Sequence, residues 1–229
     1  NGAFRFRRRT GGAVAASLAL FALLLLMPGS NARADEASDL FAMKAASETH
    51  LAYVITGNAE IDATSKAGLA GLSAALTDRT ALEPGDPIGV DPERDELAFF
   101  PLIYWPIAPE TPMPTAAAMA RIDAYMRQGG SVLFDTRDQL ERSTSFSTFT
   151  GTPAVERLRE MLASLDIPPL EPVPADHVLT KAFYLLNDFP GRYSGGPLWV
   201  QATEGGERDD RPVAAGDGVS TILITENDF

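Results

Sequence analysis

Asp135, Arg137 and Asp138 place two carboxylates and a guanidinium within four residues, directly after the apolar segment Ser131-Val132-Leu133-Phe134. A sharp turn at that point would hold a nucleophile or a ligand-binding group, and a carboxylate serves as base or nucleophile when burial or a neighbour tunes its pKa. The same residues also suit an ion pair that pins the turn. Tyr104-Trp105-Pro106 puts two aromatics at the end of another apolar run, as a binding platform or as packing. Arg192 and Tyr193 lie in Phe189-Pro190-Gly191-Arg192-Tyr193-Ser194-Gly195-Gly196. That stretch is either a segment closing over a pocket or an Ω-type loop. Of the two histidines, His177 follows Asp176 in a loop and is a base with its orienter or a structural residue. His50 sits ahead of the first strand, where a structural or solvated role is expected.

Other chemistries are absent. The 229 residues contain no cysteine, which excludes disulfides, thiolate metal sites and a cysteine nucleophile. There is no phosphate-cradling or dinucleotide glycine motif, and Gly71-Leu72-Ser73-Ala74-Ala75 misses the nucleophile elbow at its last position. Asp91, Glu93 and Asp95 alternate like a calcium loop but lack its glycine and distal glutamate, so a solvated acidic loop is expected and no metal or other cofactor is assigned. A net charge of -12 argues against nucleic acid as a partner, since phosphate binding needs a basic face.

The elements that would position these residues alternate. Leu51–Ile55 reads as a strand stopped by Thr56-Gly57-Asn58, and residues 64–77 as a helix with Leu69, Leu72 and Leu76 on one face. Residues 80–83 suit a short second strand, followed by a Pro/Gly/Asp loop from Pro84 to Pro92. The dense run Leu97–Tyr104 suits a strand covered on both faces, with a bend at Pro101. A helix from Pro114-Thr115 to about Gln128 turns Met119, Ile122 and Met126 inward and stops at Gly129-Gly130. Ser131–Phe134 is a strand. Thr152-Pro153 starts a helix with Val155, Leu158, Leu162 and Leu165 inside. Short β segments follow at 182–186, 198–202 and 220–225. This order predicts an α/β fold with a doubly wound, mostly parallel sheet, and directs attention to the carboxyl ends of its strands: 56–60, 104–106 and 135–138.

The amino-terminal part is different. Five arginines precede Asp35, the first acidic residue, and residues 35–229 carry 14 basic against 31 acidic groups. Between them, Gly11–Met27 is uninterrupted and apolar, long enough to span a bilayer. A retained anchor and a secretory signal cleaved near Ala32-Arg33-Ala34 both fit. The chain begins Asn1-Gly2-Ala3 without methionine and reads as a piece of something longer. Both readings keep arginine in the cytoplasm and the acidic part outside the inner membrane, in the periplasm. The expected organisation is a basic cytoplasmic segment (1–10), a transmembrane helix (11–27), a linker and lead-in helix (28–48) and a periplasmic α/β domain (49–229).

Several unusual blocks recur in order: Leu51-Ala52-Tyr53-Val54 with Thr56-Gly57-Asn58, Asp95 through Pro106, Gly129-Gly130 with Phe134-Asp135-Thr136-Arg137-Asp138, Phe183-Tyr184-Leu185-Leu186 with Phe189-Pro190-Gly191-Arg192-Tyr193, and Asn227-Asp228. From about residue 49 onward the chain resembles the bacterial domain of unknown function four-one-five-nine. The resemblance implies a class I glutamine-amidotransferase-like fold at the carboxyl end of a larger inner-membrane protein, in the company of MoxR-type ATPases, and a family chain that continues past Phe229. Glutamine amidotransferases need a cysteine at the strand-to-helix turn, and none exists here. The expectation is therefore a non-catalytic domain of a cell-envelope assembly, binding a ligand or partner through Asp135, Arg137, Asp138, Tyr104 and Arg192. The alternative is a carboxylate-dependent hydrolase using Asp135 or Asp138 on an envelope substrate.

Overall fold

The computed structural model describes residues 30–139, 151–175, 177–181, 189, 191–193, 195–202 and 220–228. The chain divides into a unit ending at Phe41 and a second unit, Ala42–Phe229. The apolar run 11–27 and the segment 182–186 lie outside the described residues. Among the described residues no helix is long and apolar enough to cross a membrane.

Helix α1 spans Ser30–Ser47 and is followed by strand β1, Ala52–Val54. Then come α2 (Ala59–Arg79), β2 (Ile88–Val90), β3 (Leu102–Pro106), α3 (Ala116–Arg127) and β4 (Ser131–Asp135). The remainder is α4 (Pro153–Leu162), β5 (Leu170–Pro172), the single turn α5 (Val178–Lys181), β6 (Trp199–Gln201) and β7 (Ile222–Thr225). All seven strands form one sheet in the order β2-β1-β3-β4-β7-β6-β5. Strands β2, β1, β3, β4 and β7 run parallel, while β6 is antiparallel to both β7 and β5. The fold is thus α/β with a mixed sheet. Its antiparallel edge, where β6 pairs with both β5 and β7, departs from the all-parallel pattern.

The central strands are apolar on both faces. Ile103, Val132, Phe134, Ile222 and Ile224 on one face are fully buried, and Tyr104, Leu133 and Leu223 on the other are buried too, as strands covered on both sides require. Leu51, Leu69, Tyr104, Leu133, Leu198, Val200 and Leu223 form one contiguous cluster. Met119, Ile122 and Met126 of α3, and Val155, Leu158 and Leu162 of α4, are buried as their spacing predicts, whereas Leu165 falls beyond the helix and is half-buried.

Helix starts follow side-chain caps. Thr115 accepts from the Ala118 N–H and Thr152 from the Val155 N–H, with Pro153 in the first turn of α4. Helix α2 starts earlier than its apolar spacing indicates, because Asn58 accepts from the N–H groups of Glu60 and Ile61. Gly129 ends α3 with a left-handed φ of +97°, and a Cβ on Gly130 would run into the Tyr125 ring.

Two expectations are corrected. Residues 80–83 form no strand: Thr80 is the C-cap of α2, its N–H and hydroxyl both donating to the Leu76 carbonyl. The strand lies inside the expected loop, at Ile88-Gly89-Val90, in register with Ala52-Tyr53-Val54. The run 97–104 is strand only from Leu102; Pro101 stands just outside, its carbonyl accepting from the Ser131 N–H. A proline ahead of the strand removes no ladder donor.

Candidate functional site

At the carboxyl end of β4, Asp135 is in register with Pro106 of β3 and Thr225 of β7. Its side chain is fully buried and accepts three hydrogen bonds from described residues. The Tyr104 hydroxyl donates to Oδ2 at 3.0 Å, and the N–H groups of Arg137 and Asp228 donate to Oδ1 at 2.9 and 3.4 Å. Tyr104 lies inside β3, so its ring is core and only its hydroxyl reaches the site. Burial, then the charge of Asp135 and the hydrogen bond to it, hold the Tyr104 phenol far above its ordinary pKa. It is a neutral donor.

Asp138 is buried and also committed. Its Oδ1 accepts from the Thr136 hydroxyl at 2.5 Å and its Oδ2 from the hydroxyl of Thr152, the cap of α4. This carboxylate ties the β4 exit to the start of the next described helix.

Two residues other than glycine have a left-handed φ, Arg137 at 55° and Asp228 at 55°, among the described residues. They follow the adjacent strands β4 and β7 and are bonded to each other: Arg137 Nε donates to Asp228 Oδ1 at 2.5 Å. Non-glycine residues in this region cost about 1–3 kcal/mol each and persist where the surroundings over-determine them, often at functional sites. Burial alone would lower the Arg137 pKa, but the hydrogen bond and charge of Asp228, helped by Tyr104 and Asp135, raise it. Arg137 is a permanent cation.

The segment around Arg192 is stitched to the β7 exit. Arg192 N–H donates to the Asp228 carbonyl and Tyr193 N–H to the Asn227 carbonyl, at 2.9 and 3.0 Å. Asn227 Nδ2 donates to the Phe189 carbonyl at 2.9 Å. Gly191 packs so tightly that a Cβ there would lie 2.6 Å from the Asn227 carbonyl oxygen. Arg192 Nη1 then reaches Asp228 Oδ2 at 3.4 Å while its guanidinium lies over the Tyr193 ring. One carboxylate therefore sits between two arginines.

Asp135, Arg137, Asp138, Tyr104 and Arg192 are thus gathered at one end of the sheet. Sequence reading missed Asp228, Asn227, Thr136 and Thr152 as parts of the site. The signal for the last two was a hydroxyl flanking each end of the turn. Trp105 stacks on Phe134, centroids 5.6 Å apart, and is buried in the core, so Tyr104-Trp105-Pro106 is no platform.

The histidines lie elsewhere. His177 Nδ1 accepts from the Leu179 N–H at 3.2 Å, which puts its proton on Nε2, facing Ser220 Oγ at 3.3 Å. In that tautomer the ring has no lone pair for the serine and is a structural tie; Asp176 is outside the described residues. His50 is buried, with Nδ1 2.8 Å from the Asp86 carbonyl and Nε2 3.1 Å from that of Lys44. Asp91, Glu93 and Asp95 bond to nearby backbone, and Glu93 takes both the N–H and the hydroxyl of Thr115. No cluster that could hold a metal occurs among the described residues.

A mixed α/β sheet with its polar cluster at the ends of two parallel strands defines the class of domain. The family described as domain of unknown function, DUF4159, matches residues 50–229. The chain belongs to this family. A comparison with curated proteins finds no match.

Proposed function

We propose that this domain is a non-catalytic recognition module of a cell-envelope assembly, binding a ligand or partner protein at the carboxyl ends of β4 and β7. One observation carries the reading. Both carboxylates that could do chemistry are buried and engaged internally, Asp135 by three donors and Asp138 by two hydroxyls, whereas among the described residues Arg137 engages only Nε. A general base or nucleophile needs a lone pair within reach of a substrate. No observation favours the hydrolase alternative.

The run 11–27, with arginines before it and acidic residues after it, supports an inner-membrane tether that leaves the domain in the periplasm. The parallel order β2-β1-β3-β4-β7 supports a doubly wound, glutamine-amidotransferase-like layer. Envelope proteins and MoxR-type ATPase systems are the partners this reading names. The test is affinity capture of the full chain from membranes, beside Arg137→Ala with its fold checked by circular dichroism. Partner capture should be lost in the variant, and unchanged capture contradicts the site. Turnover of an ester, amide or glycan that disappears in Asp135→Asn would contradict the non-catalytic reading.

A further inference from the structure

The Arg137 side chain is 23% exposed, and Nε is its one engaged nitrogen among the described residues. Its two Nη nitrogens, the ends of a planar fork, carry no hydrogen bond among the described residues. Arg192 is 68% exposed and holds the same Asp228 from the other side. The carboxylates of this cluster face inward: Asp135, Asp138, Asp228 and Glu226 are each less than a tenth exposed. Among the described residues of this cluster, the side chains that meet solvent are therefore the two guanidiniums, over a buried layer of carboxylates.

The backbone fixes this arrangement before any ligand arrives. Arg137 is held left-handed by its own N–H bond to Asp135, and its Nε is anchored by Asp228. The open fork is thus preorganised, which removes much of the ordering cost that a free arginine meets on binding. A planar fork with two parallel N–H donors matches a planar oxyanion with two oxygens.

Charge selects among oxyanions. Among the described residues the cluster holds four carboxylates against two guanidiniums, so each further negative charge on a ligand adds repulsion from Asp135, Asp138 and Glu226. A doubly charged phosphate suffers this about twice over, whereas a carboxylate brings one charge and a flat pair of oxygens.

We infer that Arg137, with Arg192 beside it, grips a single carboxylate group of the ligand or partner. This rests on the recognition reading above and supplies its chemistry.

The test is titration of the full chain with sodium acetate against sodium phosphate, at constant ionic strength set with sodium chloride, followed through the Arg137 Nε–H resonance. Acetate should give a saturable shift that chloride does not, with phosphate weaker. Arg137→Lys keeps the charge without the fork and should weaken acetate binding, read by calorimetry, roughly tenfold. Arg192→Gln changes an exposed side chain and should weaken it severalfold, which keeps the question open to measurement should Arg137→Lys fail to fold. Phosphate binding more tightly than acetate overturns the carboxylate assignment, as does an Arg137 resonance that neither anion moves. Acetate failing while partner capture still depends on Arg137 sinks this inference and leaves the recognition reading standing. Acetate binding while capture ignores Arg137 does the reverse.

Discussion

The two ends of the sheet bury polar groups for different purposes. At the amino end, three buried polar side chains serve as ties between neighbouring segments. His50 faces two carbonyls, His177 joins Leu179 to Ser220, and the Tyr125 hydroxyl lies between the carbonyls of Phe100 and Ser131. A cleft there is lined by Phe99, Phe100, Tyr125 and Gly130, with Glu48 its one carboxylate among the described residues. At the carboxyl end the carboxylates are satisfied just as thoroughly, but two left-handed residues and an arginine with unspent donors are left over. Where strain and unused capacity coincide, stability alone does not account for the arrangement.

The largest effect expected from breaking this contrast is at Asp135. Replacing it with alanine strands the Tyr104 hydroxyl and two N–H groups in the interior, and should cost about 3–5 kcal/mol in chemical denaturation. Arg137→Ala leaves Asp228 with only the longer Arg192 contact, and should cost about 1–3 kcal/mol while relieving the left-handed backbone little. Tyr104→Phe removes one hydrogen bond at about 1 kcal/mol. It also sharpens the electrostatics. The Tyr104 pKa is raised in the folded state, so its contribution is complete below about pH 10 and is lost as pH climbs above that value. The variant should therefore lose stability less steeply in alkali than the parent, keeping the share due to Tyr125, which is raised in the same direction by burial. At the small end, Arg94→Ala breaks an exposed pair with Asp91 and should stay within roughly 0.5 kcal/mol in the same unfolding experiment.

Much of the scaffold was legible in the chain. Apolar spacing located α3 and α4, the hydroxyl-then-proline signal at Thr152-Pro153 located a helix start, and Gly129 located a stop. What failed was short and edge-like. Ile88-Gly89-Val90 is three residues with a glycine at its centre, and its identity as strand comes from pairing with β1 rather than from its own propensity. Strand β5, Leu170–Pro172, ends in a proline and is likewise defined by its partner β6. The site was half legible. The cluster 135–138 follows a strand directly, so local sequence marked it. Asp228 is 91 residues from Arg137, and only the placement of β7 beside β4 joins them. Composition carries no trace of that pairing.

The contrast between the two ends can be tested in one measurement: capture of partners from membranes by the full chain, by Arg137→Lys and by His177→Gln, in parallel. Arg137→Lys preserves charge and should lose the partner, while His177→Gln, altered at the opposite end, should retain it. Equal retention by both variants, or loss in His177→Gln alone, would contradict the assignment of recognition to the ends of β4 and β7.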